Sequence, residues 1–178
     1  MFERFTKGAR EAVSGAVAEA ESTGAHRVDA LHLLTAVAGT ADAAAVLRAL
    51  DISGAAVSDR VEELRRQGGL SDVDRHALSE LGIDVDTVVA RVEHEHGQGV
   101  LAGHPRRRRW HTPFAGDAKR VLEASLHEAL EIREKHIGAE HVLLALATVP
   151  GPAADVLVAA GVQPRRLHAV LRQRRQAA

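Results

Sequence analysis

The chain has 178 residues, enough for one domain or two small ones with a real core, and its net charge is only −1. It has no cysteine, which excludes disulfides, thiolate nucleophiles and cysteine-zinc sites. The opening Met-Phe-Glu-Arg is not a signal peptide and no apolar run is long enough to span a bilayer, so a soluble cytoplasmic protein is expected.

Hydrophobic residues make up 46% of the chain but aromatics only 2%, so the core is Ala, Val and Leu. Such small side chains let helices approach closely and favour a helical bundle. The charge is unevenly spread. Residues 1–101 carry 10 Lys+Arg against 17 Asp+Glu, whereas residues 102–178 carry 13 against 7. Most of the basic excess lies in Arg106–Arg109 and in Arg165, Arg166, Arg172, Arg174 and Arg175.

In chain order, helical spacing of Ala9, Val13, Ala16, Val17 and Ala20 predicts an amphipathic helix over 7–23, capped by Thr6 and ended by Gly24. Asp29 caps a short apolar helix, 30–38. Further helices are expected at 43–50 and 54–67, the latter stopped by Gly68-Gly69. Residues 71–81 and 85–96 read as helices capped by Ser71 and Asp84, with Leu78, Leu81, Val85, Val88, Val89 and Val92 offering an apolar face to pack on what precedes them. The last four helices fall at 116–135, 139–148, 153–160 and 164–175, separated by glycine and proline.

These elements repeat. Phe5, Ala9, Glu19, Ala20, Ala30, His32, Leu34, Ala36 and Ala38 recur as Phe114, Ala118, Glu128, Ala129, Ala139, His141, Leu143, Ala145 and Ala147, always 109 positions on. After one gap, Val46-Leu47 matches Val156-Leu157 and Ile52 matches Val162. A supersecondary unit has been duplicated, and two copies are expected to pack about a pseudo-two-fold axis. Four segments follow: a first repeat at 1–69, a helical insertion at 70–101, an Arg-rich linker at 102–113 and a second repeat at 114–178. The insertion also echoes the style of the repeats, since Ala77-Leu78 to Ile83 resembles Val46-Leu47 to Ile52.

Met1-Phe2-Glu3-Arg4-Phe5-Thr6, the Ala9/Arg10 and Ala118/Lys119 pairs, and Ile137-Gly138-Ala139-Glu140-His141-Val142-Leu143-Leu144 carry a family resemblance. The chain resembles the Clp amino-terminal repeat domain, which opens the Clp/Hsp100 ATPase chaperones. That resemblance implies an all-α fold: a duplicated four-helix repeat packed as a pseudo-two-fold bundle, with an extra helical insertion between the copies. It also implies a module that recruits substrates and adaptors without catalytic activity of its own. The only lysines are Lys7, Lys119 and Lys135, and none follows a glycine, so no phosphate-binding loop of an ATPase is present. The reading is therefore the recognition module without its motor, either free-standing or cut from a longer protein.

In some members of the family the paired Thr and Glu of each repeat bind phosphorylated arginine. Here the first copy keeps Thr6 but has Leu31 in place of the Glu, and the second keeps Glu140 but has Ala115 in place of the Thr. Each site then looks half present, with the first expected to be dead for that ligand and the second weak. The resemblance also implies that phenylalanines at Phe2 and Phe114 contribute to a surface that captures cyclic peptide antibiotics.

Other signals have plain explanations. His32 and His141 occupy equivalent positions and read as packed histidines tying a helix to a neighbouring loop. In Glu93-His94-Glu95-His96 the two histidines point about 200° apart on a helix, so they do not share an ion. His104 and His111 add nothing to that cluster, and no metal or cofactor is expected. Arg106, Arg107, Arg108 and Arg109, followed by Trp110, are the residues that would contact nucleic acid, but a solvated linker explains them better. The leading function is a non-catalytic protein- or peptide-binding module: an adaptor, substrate receptor or decoy for ligands of the Clp chaperone-protease system. Its partner would be a Clp substrate, adaptor or ATPase, recognised around Phe2, Thr6, Phe114 and Glu140. A nucleic-acid-associated regulator is the alternative, and a histidine-dependent hydrolase stands third. No membrane partner is expected.

Overall fold

The computed structural model describes residues 2–66, 68–70, 72–98, 100–102 and 112–177. Among these residues, ten α-helices follow a short 3-10 turn at Phe2–Arg4. The first four are α1 (Lys7–Ser22), α2 (Ala30–Ala38), α3 (Ala41–Arg48) and α4 (Gly54–Arg66). The insertion contributes α5 (Asp72–Glu80) and α6 (Val85–His96), then a second 3-10 turn at Val100–Ala102. The last four are α7 (Gly116–Glu131), α8 (Ala139–Thr148), α9 (Pro152–Ala159) and α10 (Pro164–Ala177).

The local chemistry of the helix ends is the one the sequence suggests. Thr6 accepts from the Ala9 N–H at 3.2 Å and Asp29 from the His32 N–H at 2.9 Å. Asp84 accepts from the Asp86 and Thr87 amides at 3.0 and 3.2 Å. Several ends differ from expectation, and two of the shifts have a clear local cause. Helix α3 begins at Ala41 because Thr40 caps it, accepting from the Ala43 N–H at 3.3 Å. Helix α7 stops at Glu131, short of 135, because Arg133 turns left-handed at φ 62°. Its counterpart in the first copy is Gly24, at φ 68°, so the same helix end is built there from the residue that adopts it without strain.

Packing centres on α2 and α8. Both are almost wholly buried, and α1, α3, α4, α7, α9 and α10 surround them. Small residues set the spacing: a Cβ on Gly15 of α1 would stand 3.3 Å from the Cβ of Ala36 on α2. The core cluster draws on every helix except α5 and α6.

The two copies are joined by backbone. Phe5 forms an isolated parallel bridge with Ile137, and Val28 with Phe114. The Thr6 N–H donates to Ile137 O at 2.9 Å and the Ile137 N–H to Arg4 O at 2.8 Å. The Ala115 N–H donates to Val28 O at 2.8 Å and the Val28 N–H to Pro113 O at 2.9 Å. Shifting every residue of one pair of bonds by the repeat offset gives the other pair with the copies exchanged. That reciprocity is the mark of a two-fold relation, here within one chain.

The insertion is helical, but its packing corrects the expectation of a face closed against the first copy. Leu81 is 77% exposed and Val88 50%. Val85 is buried, yet outside the main core. The turn at Val100–Ala102 packs against both α6 and α4 and links the hairpin to the first copy.

Replacing Arg133 by Gly should raise stability by up to about 1 kcal/mol, because a non-glycine residue pays roughly that much to be left-handed. Denaturant unfolding of the variant, set beside a control at exposed Arg120, measures it.

Candidate functional site

The cross-copy bridges decide which helix ends meet. Helix α1 has 16 residues and is about 24 Å long. His32 Nε2 lies 3.3 Å from Thr23 Oγ1, which pins the start of α2 to the far end of α1. Thr6 and Leu31 therefore stand at opposite ends of their own repeat and cannot share a ligand. Instead Thr6, the N-cap of α1, is hydrogen-bonded to Ile137, next to the Gly138 that opens α8. Thr6 and Glu140 thus belong to one junction, and Leu31 and Ala115 to the other. The half-and-half reading of the two sites is corrected: the two retained residues lie together, as do the two replaced ones.

The junctions also differ in what fills them. At the start of α2, Asp29 caps the helix from below and Asp117 reaches across from α7, its Oδ2 accepting the Ala30 N–H at 3.0 Å. Two carboxylates occupy the positive end of that helix. At the start of α8 the corresponding residues are Gly138 and Gly8, and no side chain caps the helix by hydrogen bond. The Glu140 side chain folds back there, so that its Oε1 stands where a Cβ on Gly138 would be, and its buried Oε2 has no hydrogen-bond partner among the described residues. Asp42 of α3 completes the surroundings: its Oδ2 would be 3.0 Å from a Cβ on Gly8. This junction combines two helix N-termini, the Thr6 hydroxyl and two carboxylates. A helix N-terminus attracts anions, and a carboxylate pairs with a guanidinium.

Both histidines are packed inside the fold. His32 Nδ1 lies 3.2 Å from the Asp29 backbone N and 2.6 Å from its carboxylate. His141 Nδ1 accepts the Gly138 N–H at 2.9 Å, and its Nε2 faces Glu134 at 3.7 Å. Each ring thus closes the turn before its helix. Glu134, Glu140 and His141 have ligand atoms within 4.8 Å of one another, as do Glu128, Glu131 and His168. In the first trio the only lone pair of a neutral imidazole is already taken by Gly138, which argues against a metal ion there. In the second, Glu128 is engaged by the Thr148 hydroxyl at 3.0 Å.

The aromatic candidates divide. Phe114 is half-buried, packs on the core and is held by its bridge to Val28, so it is part of the junction that Asp117 fills. Its counterpart in the repeat is Phe5, which is buried. Phe2 opens the 3-10 turn that leads into Thr6. Arg106, Arg107, Arg108 and Arg109 lie outside the described residues, as do Ser71, His104, Trp110 and His111. No single helix among the described residues is long and apolar enough to cross a membrane.

The sequence matches the family described as the Clp repeat (R) N-terminal domain over residues 70–160 and again over 114–176. The chain belongs to that family. The first match begins inside the insertion, in keeping with a hairpin of repeat character there. Among named relatives, the chaperone protein ClpC1, chloroplastic, of Oryza sativa subsp. japonica is 31% identical over 170 residues, 94% of this chain and 15% of that protein. The ClpA homolog, chloroplastic, of Brassica napus, named as an ATP-binding subunit of the ATP-dependent Clp protease, is also 31% identical over 94% of this chain and 15% of its own length. The chain spans about 15% of the length of these relatives. The fold is that of the N-terminal domain of ClpD from Arabidopsis thaliana, at a TM-score of 0.58, with 22% identity and 98% and 99% of the two chains covered. A structure described under a malarial protein secretion system superposes at 0.67, with 12% identity and 96% and 94% coverage.

Among the ionisable groups of the junctions, the Asp29 carboxyl is displaced. Burial opposes its charge, but hydrogen bonds from the His32 side chain and backbone, with the charges of His32 and Arg65, outweigh burial and hold its pKa below the ordinary 3.8. A lowered carboxyl pKa stabilises the fold above the unfolded value and loses that contribution as pH falls through the folded one. Asp29→Ala should therefore cost about 1 kcal/mol at neutral pH. The difference from the parent should shrink below about pH 4. Chemical denaturation across pH 3 to 7 checks both statements.

Proposed function

We propose that this chain is a non-catalytic recognition module of the Clp type, a substrate receptor, adaptor or decoy for ligands of a Clp chaperone-protease system. Its working surface is the junction of Thr6 and Glu140. The observation that carries this reading is the contrast between the junctions. One is filled by Asp29 and Asp117, whereas the other has glycines at both corresponding positions and a carboxylate with an unpartnered buried oxygen. A ligand that joins a phosphate to a guanidinium matches it: the phosphate faces the helix N-termini and the Thr6 hydroxyl, and the guanidinium faces Glu140 and Asp42. Phosphoarginine on a protein is such a group. The backbone at Phe2 leads into the same junction; the family resemblance brings the cyclic peptide antibiotic contact to that residue, whose side chain lies outside the described ones. Phe114 lies on the other junction and serves the fold, so Phe114→Ala should lower stability as well as any binding.

Calorimetric titration with phosphoarginine tests the assignment. One site per chain is expected, with Glu140→Ala weakening it at least tenfold, in line with loss of a charge-assisted pair of about 1.5–3 kcal/mol. Thr6→Ala should weaken binding too, and should also cost about 1 kcal/mol of stability because Thr6 caps α1. Two equal sites, or affinity untouched by Glu140→Ala, would overturn the assignment. ATP turnover co-eluting with the chain would overturn the non-catalytic reading.

A nucleic-acid role for Arg106–Arg109 and the basic α10 is the second reading, favoured by exposed Arg165, Arg166, Arg172 and Arg174. Phosphate contacts weaken steeply with salt. A DNA or RNA probe bound at low salt and lost on adding salt would support it.

A further inference from the structure

The bend between α5 and α6 is the third instance of one hairpin. In α3–α4 the Ile52 N–H donates to Leu47 O at 3.0 Å, in α5–α6 the Ile83 N–H to Leu78 O at 2.9 Å, and in α9–α10 the Val162 N–H to Leu157 O at 2.8 Å. A left-handed residue closes each bend: Asp51, Gly82 and Gly161. The register is therefore fixed, and equivalent positions can be compared. Val57 of α4 and Leu167 of α10 are both fully buried, whereas their equivalent Val88 is 50% exposed. Val162 is 1% exposed and its equivalent Ile83 is 42%. Leu50 is 8% exposed and its equivalent Leu81 is 77%. Five of the seven large apolar side chains exposed among the described residues lie between Val73 and Leu101.

The molecule itself shows what such a face is made to cover. The α3–α4 and α9–α10 hairpins both close over α2 and α8, the two short helices rich in Ala and Leu. Those helices are already enclosed, so among the described residues no such helix is left for α5–α6. The rim of the hairpin adds a charge requirement. Residues 70–101 carry seven Asp+Glu against two Arg, with Glu80, Asp84, Asp86 and Glu95 exposed. Two such faces from two copies would bring like charges together, whereas a cationic partner is attracted. At the bend a hollow of about 660 Å³ is lined by Arg75, Ser79, Ile83, Val85 and Asp86, and Arg75 is held by Asp86 at 2.7 Å.

We propose that α5–α6 is a docking hairpin for an apolar helix flanked by basic residues, supplied by a partner protein. The partner helix lies across Leu81, Ile83 and Val88 as α2 lies across α4, and its basic flanks meet the acidic rim. This surface is separate from the Thr6–Glu140 junction and does not depend on it.

The probe is a labelled synthetic peptide of leucine and lysine, about five helical turns long, titrated into the full chain and followed by fluorescence anisotropy. Saturable binding is expected. Leu81→Gln and Val88→Gln together should weaken it at least tenfold, a loss typical of removed interface anchors. Both side chains are exposed, so circular dichroism and the melting temperature should not change. A leucine-glutamate peptide of equal length should bind at least tenfold more weakly, and Glu140→Ala should leave lysine-peptide binding intact. No binding, equal binding of the two peptides, or indifference to the double substitution would overturn the proposal. Sedimentation as a dimer that the double substitution dissociates would overturn it in favour of self-pairing.

Discussion

Everything in this fold is arranged around four backbone hydrogen bonds that pass between the copies. Each segment that leads into a long helix lends its edge to the turn before the short buried helix of the other copy. Backbone donors and acceptors buried in a core must be paired, and here each of these groups finds its partner in the other copy. The exchange thereby fixes the distance and angle between the halves more tightly than an Ala and Leu core could. Small side chains pack well at several offsets, whereas a bridged backbone has one register.

That exchange also explains why duplication produced unequal sites. Each junction takes a long-helix start from one copy and a short-helix start from the other. Substitutions at equivalent positions of the two copies therefore land in different places. Gly8 and Gly138 fall together, and so do Asp29 and Asp117. A carboxylate at a helix N-terminus satisfies the dipole and shuts the door to an outside anion. The pair of glycines leaves that end to Glu140, whose second oxygen is buried without a partner. Stability has been placed at one junction and openness at the other.

Much of the fold was legible in the sequence because its signals are local. The helical spacing of apolar residues and the caps at Thr6, Asp29 and Asp84 each concern neighbours within a few positions, and the repeat shows as two such local patterns set 109 positions apart. The packed role of His32 and His141 followed from their equivalence. The end of α7 was not legible, since nothing about Arg133 announces a left-handed residue. The pairing of Thr6 with Glu140 was hidden for a different reason. A sequence lists the members of each repeat together, but two antiparallel helices put their starts at opposite ends. The length of α1 was the available clue, and so were the complementary glycines and aspartates. The exposure of Leu81 and Val88 was illegible because an apolar stripe reads the same whether its cover belongs to the chain or comes from elsewhere.

The reciprocal bridges give this protein a character unusual for a tandem repeat. In a solenoid, each unit contacts only its neighbours in the stack, and the array can be shortened by removing one. Here a break anywhere between the copies would leave two fragments, each carrying half of both junctions and a complete version of neither. Each fragment would hold a set of orphaned amides shaped for the other. Such halves are complementing parts: separately inert, and competent only on reassembly.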